Sequence, residues 1–286
     1  MPKQAPTLVP LALAGGQGKT TIALMTGRIL ASYGIPVLFV DADPQASLTA
    51  FLGVDPEDRP TLLEVLTRSP DKLPLFKAIH AVPESENIFL IPSTDELENA
   101  NHSLAASPSS INVLRNRIQQ VGEQVKKEEK ITSNFGIIII DPPPERSHLA
   151  LTSLGSGDCW VICAEANIKG VQSLKRTKGL IETCQSMVPA GELIGTIPFR
   201  AKWTGLNPTK VTRTNIEVME VLVGKDLMLP HVLESDIYKR AIDEQTLPGT
   251  LGYEHLEFPL RSLIERMRPS LGKYAKSIPV LNTEEN

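Results

Sequence analysis

At 286 residues, 41% of them hydrophobic and 22% charged, the chain is long enough to bury a sizeable core in one unit, and its composition is that of a folded protein. A formal net charge of -4 excludes a whole-molecule basic field, so any nucleic-acid contact must come from a local patch. No apolar run approaches the roughly 18 residues that cross a bilayer, and three cysteines are too few and too odd for a disulfide framework; a cytoplasmic location is expected.

TLVPLALA, residues 7–14, reads as a first strand running into a glycine-rich loop, and residues 19–33 as a helix. IPVLFVD (35–41) is a second strand closed by DADP, TLLEVL (61–66) is helical, residues 72–81 are helical or mixed, and NIFLIPS (87–93) is another strand. Residues 100–110 are a loop by composition, and residues 111–129 an amphipathic helix ending in the charge run QVKKEEK. FGIIIID (135–141) is a strand closed by DPPP, and GDCWVICAE (157–165) and ELIGTIPF (192–199) continue the series. A helix over 208–223, a short strand ending in LMLP at Pro230, helical residues 237–244 and a last helix over 257–268 follow; SIPVLNTEEN, from about residue 277, predicts a flexible tail.

Near-continuous apolar strands alternating with helices predict a single α/β domain over residues 1–286, a doubly wound and mostly parallel sheet with helices on both faces. Ligands of such sheets collect at the carboxyl ends of the strands. Cys159 and Cys163 fall on one side of a strand roughly 13 Å apart, too far for one tetrahedral metal. With Cys184, they are expected to be core thiols.

The chemistry concentrates in AGGQGKTT, residues 14–21. Gly15, Gly16 and Gly18, with Gln17 between them, let the backbone curl with its N–H groups inward, and Lys19 supplies a point charge to the outer phosphates. Thr20 offers a hydroxyl to Mg²⁺, and with Thr21 it opens a helix whose dipole favours anions. The dinucleotide pattern G-x-G-x-x-G fails at Thr21, so the expected ligands are ATP and Mg²⁺. IIIID places Asp141 at a strand end, where phosphate-binding-loop proteins hold a carboxylate toward the metal. DADPQAS puts Asp41 and Asp43 about 7 Å apart on one side of the chain; one of them could orient the attacking water.

AGGQGKTT, DADPQAS and IDPPP resemble, in order and spacing, the ParA/MinD family of deviant Walker A ATPases, whose loop is written K-G-G-x-G-K-[ST] and whose next strand is followed by D-x-D-P-Q. LMLPHVLESDIYKRAIDEQ resembles that family's late segment at the adenine, which brings in Pro230. The resemblance implies the P-loop NTPase fold, a homodimer with ATP sandwiched at the interface, slow hydrolysis quickened by a small adaptor protein, and a role in distributing cargo. By position it gives Asp43 the lytic water, Lys19 and Thr20 phosphate and metal, and Asp141 a place behind the metal's immediate ligands. Non-specific DNA binding by the dimer, and so nucleoid association, would fall to Lys239, Arg240, Arg261, Arg266, Arg268, Lys273 and Lys276.

One departure stands out. The first lysine of the family's loop, which reaches the partner's phosphates, is Ala14 here. Lys169, in the loop after the strand ending at Glu165, is the candidate replacement, with Lys202 and Arg146 behind it. In lacking that lysine the chain looks like the carboxysome-positioning, McdA-type group with its McdB adaptor. Plasmid or chromosome partition with a ParB-like adaptor is the alternative, as is an amide-forming or carboxylating enzyme of the same fold. No terminal amphipathic helix suggests a membrane-riding member.

Overall fold

The computed structural model describes residues 5–56, 59–83, 85–106, 109–124, 135–188 and 191–281. Its first half runs β1 (Thr7–Leu11), α1 (Lys19–Ser32), β2 (Val37–Asp41), α2 (Ser47–Phe51), α3 (Leu62–Thr67), β3 (His80–Ala81), β4 (Ile88–Ile91), α4 (Ala100–Ala105) and α5 (Val113–Gln124). The second half runs β5 (Ile137–Asp141), α6 (His148–Ser156), β6 (Cys159–Glu165), α7 (Ile168–Cys184), β7 (Glu192–Phe199), the hairpin β8 (Trp203–Thr204) and β9 (Asn207–Pro208), α8 (Lys210–Val223), α9 (Ile237–Asp243) and α10 (Phe258–Met267).

Seven strands form one sheet in the order β3-β4-β2-β5-β1-β6-β7, parallel throughout except for β3, which pairs antiparallel with β4 at the edge. The apolar strands explain the architecture. Each of β1, β2 and β5 is buried along its whole length, so both sheet faces must be covered. One face is covered by α1, α9 and α10 around Ile22, Phe39, Leu263 and Met267. The other is covered by α3 to α8 around Leu38, Ile140, Trp160 and Leu174.

Pro10 sits in a central strand, where a missing N–H would normally break a ladder. Here it is accommodated because pairing of β1 with β5 reaches only Leu8 opposite Ile139, while pairing with β6 continues to Leu11 opposite Ile162. The two middle strands therefore part company toward their carboxyl ends, and their connections leave to opposite faces. A crevice at such a point is where doubly wound sheets take their ligands.

Several expectations change. Residues 100–105 are helical, because Ala100 and Leu104 are buried and the Leu149 N–H donates to Asn101 Oδ1 at 3.1 Å, contacts a composition-based loop reading does not see. The short strand ending at Pro230 is an isolated bridge from Met228 to Thr196, set beside a turn over Lys225–Leu227. The last helix starts at Phe258 and passes into two tighter 3₁₀ stretches within Arg268–Ser277, separated by a kink at Gly272, where φ is 56°. Ile278 is buried, and Arg268 donates to the carbonyls of Ile278 and Pro279; residues 282–286, like the charge-run residues 125–129, lie outside the described residues.

Candidate nucleotide-binding site

The loop after β1 is shaped by glycines in the left-handed region: Gly16 at φ 77° and Gly18 at φ 92°, the second of which precedes α1 as its N-cap. Gly18 has a further reason to be glycine. An added Cβ would lie 2.6 Å from ring carbons of Phe199, the last residue of β7, so that ring rests directly on the loop. Gln17 is buried; its Nε2 donates to the Gly15 carbonyl at 3.3 Å and its Oε1 accepts from the Glu165 N–H at 2.9 Å, tying the loop to the end of β6. Upstream, the Leu13 N–H donates to Thr177 Oγ1 at 3.0 Å. Loop geometry is thus fixed from three strands and from α7, while Gly15 and Gly16 stay exposed.

α1 begins with Lys19, Thr20 and Thr21, with no acidic residue in its first turn and no side chain capping it. Its first N–H groups are open to an anion, and the helix dipole adds to their pull. Lys19 is nearly buried under this turn and close enough to Asp141 to hold down that carboxyl's pKa. β5 presents Asp141 from the floor: it is 1% exposed, and neither carboxylate oxygen makes a hydrogen bond of ordinary geometry, although the Thr20 hydroxyl lies close enough to favour its charged form. Burial pushes its pKa up to about 6 against the opposing pull of Lys19 and the Thr20 hydroxyl, with Asp43 adding a small repulsion.

The two aspartates after β2 part roles. Asp41 pairs in register with Asp141, is wholly buried and turns to α2, where its Oδ2 accepts from the Thr49 N–H at 2.8 Å and hydroxyl at 2.7 Å and its Oδ1 from the Asp43 N–H at 3.2 Å. Burial and the neighbouring Asp141 raise its pKa to about 7. Asp43 is partly exposed; its Oδ1 accepts from the Gln45 N–H at 3.0 Å, which leaves Oδ2 free. Its carbonyl accepts from Ser93 Oγ at 2.7 Å, and the Ser93 N–H donates to Thr49 Oγ1 at 3.0 Å, so the end of β4 braces the loop. Asp41 is therefore a structural acceptor, and Asp43 is the aspartate that faces outward. The spacing of the two residues carries no sign of that division; Thr49, six residues past Asp43, makes it.

Lys19, Thr20, Asp43 and Asp141 meet at the carboxyl edge. Oxygen donors of this kind suit a hard cation such as Mg²⁺. No group of three or more acidic, histidine or cysteine ligands occurs among the described residues, so such an ion would be shared with phosphate oxygens and water. Lys169 is exposed, second in α7 after the Asn167 cap, and without an ionic partner among the described residues. Lys202 is paired with Glu234 at 3.5 Å. Arg146 lies within electrostatic reach of Cys184 at the far end of α7, away from the loop. Pro230 is half-buried in the segment bound along β7 through the Leu229 N–H to the Thr196 carbonyl and the Val232 N–H to the Pro198 carbonyl. All three cysteines are buried and free.

The carboxyl-terminal cations are not one set. Lys239 pairs with Asp236, Arg240 with Glu244, Arg261 with Glu257 and Glu254, and Arg268 with Glu265. Arg266 donates to the carbonyls of Ile194 and Met228, whereas Lys273 and Lys276 are exposed without an acidic partner. No helix among the described residues is long and apolar enough to cross a membrane.

A glycine loop at a helix N-terminus, with lysine and threonine above a strand-end aspartate at the sheet's crevice, defines a P-loop NTPase fold. The family described as AAA domain matches residues 11–188. Maintenance of carboxysome distribution protein A from Synechococcus elongatus is 38% identical over 91% of this chain and 98% of its own length. The solved structure of a Cyanothece McdA variant in complex with ATP superposes with a TM-score of 0.84 at 37% identity, covering 98% of this chain and 100% of that one. Cobyrinic acid a,c-diamide synthase from Mycobacterium smegmatis, with bound ADP and magnesium, has a TM-score of 0.68 at 22% identity over 84% of this chain and 93% of its own; that likeness is one of fold. The chain belongs to the AAA domain family and, within it, to the ParA-type ATPases that include the McdA proteins.

Proposed function

We propose that this chain is a single-domain ATPase that dimerises around ATP, binds nucleoid DNA without sequence preference and distributes carboxysomes through a McdB-like adaptor that quickens hydrolysis. The observation that carries the reading is Asp141: a buried carboxylate with neither oxygen in a hydrogen bond of ordinary geometry, beside Lys19 and Thr20 at an open helix N-terminus. A buried charge left without hydrogen bonds is costly. It makes sense where a cation and a triphosphate complete the site.

In this scheme the N–H groups of Gly15 to Thr21 cradle the phosphates, Lys19 neutralises their outer oxygens and Pro230 flanks the base. Mg²⁺, when bound by Thr20 and by Asp43 and Asp141 directly or through water, supplies charge neutralisation to the phosphates. The free Oδ2 of Asp43 orients water for attack on the γ-phosphate. Lys169, unpaired at the same edge, takes the place that Ala14 vacates and reaches the phosphates of the second copy. Of the carboxyl-terminal cations, Lys273 and Lys276 are exposed without a carboxylate partner among the described residues and are available to DNA phosphates, whereas Arg266 is held by the carbonyls of Ile194 and Met228.

The reading is tested by light scattering with ATP in a hydrolysis-deficient Asp43→Ala background. That protein should have dimer mass with ATP and monomer mass without it. Adding Lys169→Ala should leave ATP binding intact and abolish the dimer. A dimer unaffected by Lys169→Ala rules that lysine out, and a chain that stays monomeric when saturated with ATP overturns the switch.

A further inference from the structure

The large apolar side chains left in solvent are not scattered. Trp203 and Leu206, in the β8–β9 hairpin, are 42% and 91% exposed, and Val211, Val218 and Val221 of the adjoining α8 are 63%, 41% and 86% exposed. On α8, Thr212 and Met219 are the buried residues. Val211 and Val218 lie one heptad apart on a flank next to that buried line, with Val221 three residues further. At 1.5 Å per residue the strip runs roughly 15 Å down the helix. Neighbouring α7 is tied to α8 where Lys178 Nζ donates to the Leu222 carbonyl at 2.8 Å. A concentrated apolar strip on a soluble surface marks an interaction site.

The charges around it are unequal. Lys175 and Arg176 on α7 and Lys210 and Arg213 on α8 are exposed with no acidic partner among the described residues, whereas the carboxylates of the two helices without a cationic partner there are Glu217 and Glu220. From this we infer that the hairpin and α8 dock an amphipathic helix of another protein, apolar along one stripe and acidic on its flanks. A nucleic acid would leave the valines, Leu206 and Trp203 facing water. A second copy meeting face to face through a twofold axis would bring the same cationic excess together. Val218 and Val221 lie in the second half of α8, which leads away from the hairpin that follows β7 at the carboxyl edge. The recognition mode is a helix laid on an apolar groove, with flanking charge fixing its choice of partner.

The test uses the full chain and two fluorescein-labelled peptides of 21 residues with leucines at heptad a and d positions, one flanked by glutamate and one by lysine. The glutamate peptide should bind, measured by anisotropy, at least tenfold more tightly than the lysine peptide, and should weaken as salt rises. An unlabelled glutamate peptide should shift the emission of Trp203 to the blue; the other tryptophan, Trp160, is fully buried and should stay silent. Val218→Asp with Val221→Asp alters exposed positions outside the nucleotide site, so helix content and basal ATP hydrolysis should hold while peptide affinity falls at least tenfold. Equal binding of both peptides, binding that survives the double substitution, or absence of binding would each overturn the inference. So would a nucleotide-independent dimer of the chain alone that the double substitution dissolves. None of the binding readouts requires ATP, so the docking face and the nucleotide switch fail separately.

Discussion

Replacing Asp141 with asparagine should stabilise the nucleotide-free protein at about pH 8. In the unfolded chain this carboxyl titrates at 3.8, whereas in the fold burial lifts it to about 6. The native state therefore holds the proton more tightly than the unfolded state. Its favourable contribution is fully present below about pH 4 and is lost as the pH rises through about 6. A rise of about two pH units, at about 1.4 kcal/mol each, amounts to about 3 kcal/mol when the group is ionised. The amide carries no charge but brings unpartnered N–H donors to the same buried place, which takes back about 1 kcal/mol. Relief of the repulsion that helps raise Asp41 to about 7 acts in the stabilising direction. Urea unfolding in EDTA should thus show Asp141→Asn about 2 kcal/mol more stable than the parent near pH 8, with the advantage gone near pH 4. A variant equal to or weaker than the parent near pH 8 would refute the view that Asp141 is a buried charge only partly offset by Lys19 and Thr20.

Gly18→Ala should cut affinity for a fluorescent ATP analogue at least tenfold, since a left-handed alanine costs about 1–2 kcal/mol and its Cβ would strike the Phe199 ring at 2.6 Å; retention of affinity within threefold would mean that the ring does not set the loop. Thr49→Val should cost about 2–4 kcal/mol, because it strips the 2.7 Å bond from Asp41 and the acceptor of the Ser93 N–H. Chemical denaturation should show the loss growing as pH rises past about 7, and a loss below about 1 kcal/mol would count against the Asp41 brace. For DNA, two exposed cations free of carboxylates in each copy give about four phosphate contacts per dimer and a slope of log affinity on log salt near -4. A filter-binding slope near -12 would instead put the ion-paired cations on the phosphates.

The loop, the helix behind it and the strand ends at Asp41 and Asp141 were legible in the sequence because each rests on neighbours in the chain: glycines that permit a turn, apolar runs long enough to cross a sheet, and a polar residue where each run stops. The three cysteines were legible as core for the same reason. Less visible was β3, two residues long, whose place is set by its pairing with β4 rather than by any periodicity of its own.

What the sequence by itself determined is the order of strands and helices and the identity of the residues at the carboxyl edge. Only the tertiary structure decided which of them are free to act. It turned Asp41 inward to Thr49 and left Asp43 with an open oxygen, set Phe199 on Gly18 across 181 residues of chain, and paired Lys239, Arg240, Arg261 and Arg268 while leaving Lys169 unpaired. The physical reason is that charge availability and burial depend on partners brought close in space, and a charged side chain looks the same in the sequence whether or not the fold supplies its counter-charge.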